Sequence, residues 1–99
     1  MTTEKSFWVY ITASRRNGTL YIGVTSDLVK RIWQHKNKVH EGFMSAYGVD
    51  KLMWFEAHGN AESAIGREKQ LKKWRRVWKA QLIERENAER RDLYDGICR

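Results

Sequence analysis

The chain has no proline and a single cysteine, Cys98, among its 99 residues. With no proline, and with few long polar gaps, nothing in the sequence marks a linker between domains. One cysteine excludes an internal disulfide and argues against any cysteine-ligated metal. No apolar run approaches the roughly 18 residues needed to span a bilayer. The polar start Met1-Thr2-Thr3-Glu4-Lys5 precedes a run too short for a secretory signal. A cytoplasmic protein without a membrane partner is therefore expected. Internal repeats and low-complexity segments are also lacking, and the length suits one compact domain over residues 1–99 rather than two.

What is abundant is aromatic and basic. Hydrophobic residues make up 41%, including five Trp, enough to fill one small core. Charged residues make up 31%, with a net charge of +7. The natural partners of such a chain are polyanions: nucleic acid first, then an acidic membrane surface or an acidic protein. The charge is concentrated, with seven basic residues between Arg67 and Lys79 against Glu68 alone.

Phe7 to Ile11 is aromatic and β-branched, Leu20 to Val24 is similar, and Asn17-Gly18 lies between them. This predicts a β-hairpin. Side chains alternate along a strand, so Phe7, Val9 and Ile11 share a face with Leu20, Ile22 and Val24 once both sets turn to the core. Tyr10 and Tyr21 then lie close together on the other face. Gly23 shares that face and leaves bare backbone beside Tyr21, room for a ligand or for a tight packing contact.

Thr25-Ser26-Asp27 ahead of Leu28, Val29, Ile32, Trp33 and Val39 predicts a helix over about 26–38. Arg31 and His35, four residues apart, flank its apolar stripe at a wet edge that can face the sheet. One or two helical turns are expected over Phe43 to Gly48, then a third strand over Lys51 to Glu56. A further helix begins at Ala61 on the apolar line Ala61, Ala64, Ile65, Leu71. Glu68 falls inside that line, where a carboxylate needs an explanation. A break is expected near Lys72 to Arg75, then a second helix to about Glu86, with Trp74 and Trp78 packing on the core while the basic side chains face phosphate. Leu93 and Tyr94 are expected to fold back on the domain; His40 and His58 read as surface or loop residues. The fold class is α/β (α+β), a small antiparallel three-stranded sheet flanked by helices, with a core of about 7–80 and a helical extension of about 81–99.

In order, Trp8-Val9-Tyr10, Tyr21-Ile22-Gly23, Arg31, His35 and Glu68 resemble the pattern of the GIY-YIG nuclease family, in the manner of its small stand-alone single-domain members. The resemblance covers residues 7 to 80. The first motif departs from the family at Trp8, which stands where a Gly is usual, and keeps the tyrosine. The resemblance implies a divalent-metal-dependent endonuclease acting on DNA phosphodiesters, with Mg²⁺ (or Mn²⁺) held by Glu68. It gives Tyr10 the role of general base, with Tyr21 orienting water or phosphate and His35 as a second hydrogen-bonding group or proton acceptor; Tyr10, Tyr21 and His35 remain exchangeable in these roles. The chemistry is coherent. One carboxylate with waters and phosphate is a usual Mg²⁺ arrangement, and an arginine fork stabilises charge on phosphate oxygens. A phenol with its ordinary pKa near 10 is a poor base unless the metal and Arg31 lower it.

Lys69, Lys72, Lys73, Arg75, Arg76 and Lys79 are the expected nucleic-acid contacts, to DNA more than to RNA. So small a domain has little surface for base readout, so selectivity for substrate structure rather than sequence is expected. Two rivals remain at this stage: a nucleic-acid-binding module of the same fold that does not cut, and an interaction domain for an acidic protein.

Overall fold

A computed structural model describes residues 6–14, 18–37 and 48–98. Its elements are β1 (Phe7–Ala13), β2 (Leu20–Thr25), α1 (Leu28–Lys36), β3 (Lys51–His58), α2 (Ala61–Lys73), α3 (Arg76–Glu86) and the short α4 (Tyr94–Ile97). The strands form one antiparallel sheet in the order β2-β1-β3. The sheet, its hairpin and the break after α2 are as the sequence predicts. Asn17 and the segment 38–47, which holds His40 and most of the expected turns over Phe43 to Gly48, lie outside the described residues. Gly48 has φ of 61°, a left-handed conformation that glycine adopts without cost.

As the middle strand, β1 is buried on both sides from Val9 to Ala13. On one face Val9, Ile11, Ala13 and Ile22 meet Met53 and Trp54, and Ala64 and Leu71 of α2 with Leu82 and Ile83 of α3 close over them. Phe7, Leu20 and Val24 rim this cluster, as the alternation requires. On the other face Tyr10 and Leu52 pack with Leu28 and Ile32 of α1, bordered by Trp8, Tyr21, Phe55 and the tail residues Leu93, Tyr94 and Ile97. The register of β1 on β3 slips between Ile11 and Thr12, since Ile11 pairs with Trp54 and Thr12 with Leu52. That bulge explains why the neighbours Met53 and Trp54 both reach the aliphatic face.

Helix α1 starts where its capping residues stand. Asp27 accepts from the Lys30 amide at 3.1 Å, and Thr25 Oγ1 accepts from the Asp27 amide at 3.1 Å. Its buried line is Leu28, Ile32 and His35, while Val29 and Trp33 are exposed. This corrects the expected stripe and moves His35 from a wet edge to the interior; the sheet is met one position round the helix from where hydrophobicity alone would put it. In α2 the Asn60 side chain accepts from the Ser63 amide at 2.8 Å, and the chain turns extended at Trp74 and Arg75. Ile65 is exposed, so α2 buries a narrower line than expected.

A second correction concerns α3. Its core contacts are Leu82 and Ile83, nearly two turns beyond its start, so the first turn overhangs the sheet and leaves Val77 and Trp78 in solvent. Trp74 is half-buried against the core. The tail folds back as expected: the Leu93 amide donates to Leu52 O at 2.8 Å, and Asp92 accepts from the Leu52 amide at 3.1 Å and pairs with Lys36. His58 is not an idle surface residue. Its ring bonds Glu56 at 2.8 Å and Ser63 Oγ at 2.6 Å, tying the end of β3 to the start of α2.

Candidate active site

The pairing of β1 with β2 puts Tyr10 directly opposite Gly23. A Cβ added at Gly23 would lie 2.4 Å from the Tyr10 hydroxyl. The phenol therefore lies flat across β2, over the bare backbone, and its hydroxyl is carried toward the open edge of the sheet. Of the two uses open to Gly23 from sequence, the packing contact is the one observed. Thr12 pairs with Tyr21, so the two tyrosines are diagonal neighbours on one face, with ring centroids 6.4 Å apart.

His35, two turns along α1 from the cap, completes an aromatic group. Its ring centroid lies 5.8 Å from that of Tyr10 and 6.2 Å from that of Tyr21. The Tyr10 hydroxyl and His35 Nε2 are hydrogen-bonded at 3.1 Å, and both residues are buried. Burial pushes the Tyr10 phenol well above its ordinary range; Tyr21 and the Glu68 carboxylate push the same way, and Arg31 opposes them. The shift runs against a free phenolate acting as base.

Arg31, a turn before His35, lines a polar cleft of ≈ 400 Å³ with Thr25, Ser26, Asp27, Lys30 and Gln34. No carboxylate pairs with Arg31 among the described residues. Lys30 and Gln34 went unnoticed in the sequence, although their spacing with Asp27 and Arg31 on one helix was a usable signal. Glu68 lies between Ala64 and Leu71 on the sheet-facing side of α2, its side chain 19% exposed. It pairs with Lys72, on its own helix, at 3.3 Å and not with Arg31. An ion pair of this kind, with a half-exposed lysine, is easily exchanged.

Among the described residues no three His, Cys, Asp or Glu side chains come together, so the protein builds no closed metal cage there. Glu68 instead offers one hard oxygen donor, part-open to solvent. That donor set fits a cation such as Mg²⁺, which keeps most of its waters and binds through one or two carboxylates and substrate phosphate. Of the expected nucleic-acid contacts, Lys69, Lys72, Lys73, Arg75 and Arg76 are exposed and Lys79 is half-exposed. Arg76 donates to Gly18 O, anchoring the start of α3 to the hairpin.

Residues 6–81, which hold both tyrosines, Gly23, Arg31, His35 and Glu68, match the family described as the GIY-YIG catalytic domain. The chain belongs to the GIY-YIG family. Membership brings nuclease-type chemistry and nucleic acid as the general substrate class, and nucleases of the family typically use a divalent metal. Within that class the chain is similar to a UPF0213 protein of Clostridium perfringens, with 38% identity over 77% of this chain and 81% of the relative. It is also similar to a putative GIY-YIG domain-containing protein of Invertebrate iridescent virus 6, with 31% identity over 81% of this chain and 82% of the relative. The solution NMR structure of a UPF0213 protein from Bacillus halodurans superposes with a TM-score of 0.51 at 27% identity, covering 82% of this chain and 85% of that one. No helix among the described residues is long and apolar enough to cross a membrane.

Proposed function

We propose that this chain is a divalent-metal-dependent endonuclease that hydrolyses DNA phosphodiester bonds and selects substrates by structure rather than by base sequence. The observation that carries the reading is the setting of one atom, the Tyr10 hydroxyl. It lies over Gly23 and bonds His35, on the helix whose Arg31 lines the open polar cleft.

Glu68 would hold the divalent cation, which when bound would supply Lewis acidity to the phosphoryl group. Arg31, lining an open polar cleft, forks onto non-bridging oxygens and stabilises the charge that develops there. Lys30 lines the same cleft and adds to the attraction for phosphate. Burial keeps the Tyr10 phenol protonated, and its hydrogen bond to His35 Nε2 gives that proton an acceptor when the imidazole is the Nδ1–H tautomer. Tyr10 then accepts the proton of the water while passing its own to His35, which is the terminal base. Tyr21, half-exposed beside both rings, orients water or phosphate.

The test is a cleavage assay on branched, flapped, single-stranded and duplex DNA with Mg²⁺ or Mn²⁺. Cleavage is expected with the wild type and lost in Glu68→Ala and Arg31→Ala, with DNA binding kept in Glu68→Ala. Tyr10→Phe should lose the reaction through the missing relay. A wild type that cuts none of these forms with either metal would sink the enzyme reading and leave a binding module of the same fold.

A further inference from the structure

The overhanging first turn of α3 presents an aromatic surface that the catalytic centre does not use. Trp78 is 48% exposed and Val77 55% exposed. The indole is nevertheless held firmly. The Trp74 ring meets it edge-on, with centroids 6.1 Å apart and an interplanar angle of 87°. The Arg75 guanidinium lies 5.9 Å from its centroid. Trp74 in turn carries the Arg67 guanidinium at 5.4 Å, and Arg67 also lies 5.9 Å from the core residue Trp54. Arg67 is fixed by Glu56 at 3.1 Å. A chain of contacts thus runs from the core residue Trp54 through Arg67 and Trp74 to Trp78, with Arg75 against the outermost ring, and the exposed ring needs little further ordering to bind a partner.

The surroundings of Trp78 define that partner by charge. Arg75, Arg76 and Lys79 share its turn, and Lys72 and Lys73 end the preceding helix. A second copy docking here about a two-fold axis would bring these cations against one another, so self-association is disfavoured. A polyanion with flat apolar faces is favoured: a nucleic-acid strand whose bases are unpaired. A duplex offers the phosphates and hides the base faces. We propose that Trp78 is a stacking platform for an unpaired nucleotide, flanked by phosphate contacts from Arg75, Arg76 and Lys79. The platform gives the enzyme its preference for substrates with a single-stranded portion. The inference rests on the nucleic-acid-cleaving reading, and it adds the class of substrate.

The experiment measures binding without cleavage, in EDTA, of a labelled 20-residue oligothymidylate and of a 20-base-pair duplex. Trp78→Ala is expected to weaken single-strand binding by about 10-fold or more, with duplex binding changed by less than about 2-fold; Trp78→Phe should recover most of the difference. Thermal melting checks that the variants fold, as a half-exposed ring at an overhang allows. Equal losses on both DNA forms, no loss on either, no measurable single-strand binding by the wild type, or polyglutamate competing as well as the oligonucleotide would each overturn the platform. So would a wild-type dimer in sedimentation that Trp78→Ala dissociates. A protein that stacks the single strand by this test and yet cuts nothing keeps the platform and loses the nuclease. One that cuts DNA but binds oligothymidylate equally well with and without Trp78 does the reverse.

Discussion

The two faces of the sheet are made by the same three strands and are put to different uses. The face under α2 and α3 is aliphatic apart from Trp54, whose indole nitrogen donates to Glu86 at 3.0 Å. The face under α1 is also buried, but its central side chain is a phenol, and a second polar ring, His35, is buried against it. A face that has only to exclude water needs volume and shape. A face that buries polar atoms must also give each a partner, or lose about 1–3 kcal/mol per orphan. The proposed chemistry is assigned to the second face because its buried polar rings are held in a hydrogen bond to each other and Arg31 lines an open cleft on the same helix as His35; Glu68 comes from α2, the helix that covers the other face.

The largest expected difference between the faces is functional. Glu68→Ala and Arg31→Ala should each lower the cleavage rate by about 10³-fold, ~4 kcal/mol of transition-state stabilisation, with melting temperatures close to wild type. Leu71→Ala, deep in the aliphatic face, should do the opposite. It should cost about 3 kcal/mol of stability in denaturant unfolding and leave the rate per folded molecule intact. Should Leu71→Ala lower the rate per folded molecule, the faces are coupled and the division of labour fails.

Gly23→Ala tests the junction between the faces. The new methyl would meet a buried phenol at 2.4 Å, an overpacking expected to cost about 2 kcal/mol and to displace the Tyr10 hydroxyl from His35. Both stability and rate should fall; retention of full activity would show that the hydroxyl position is not critical. In stability, Tyr10→Phe is the smallest of these perturbations, about 1 kcal/mol at neutral pH for the lost hydrogen bond. Its signature lies at high pH. The folded phenol holds its proton above the pH near 10 at which the unfolded chain ionises, so Tyr10 contributes stability below about pH 10 that drains away as pH rises further. Unfolding curves at rising pH should show a shallower alkaline loss in Tyr10→Phe.

Much of this could be read from the chain. Alternation assigned Phe7, Val9 and Ile11 and their partners on β2 to one face and the tyrosines to the other, because the strand period of two leaves no freedom once one face is buried. Thr25-Ser26-Asp27 marked the start of α1, since capping is a local matter. The readings that failed depended on how an element is seated. Val29, Trp33, Ile65, Val77 and Trp78 are all apolar at helical spacing, and all are exposed, because a short helix beside a three-stranded sheet buries a narrow line that hydrophobic periodicity overestimates. His58 looked idle because its partners, Glu56 and Ser63, meet it only when β3 ends against α2.

The sequence by itself determined the inventory: which side chains can bind phosphate, hold a cation or carry a proton, and which strand face each tyrosine occupies. Backbone periodicity and local hydrogen bonding act within a few residues and are written in the order of the chain. Only the tertiary structure decided that the Tyr10 phenol lies across Gly23 with its hydroxyl on His35, that Glu68 pairs with Lys72 and not with Arg31, and that Trp78 is presented to solvent. Each of these depends on the lateral seating of one element on another. That seating comes from packing over the whole core, which no short stretch of sequence specifies.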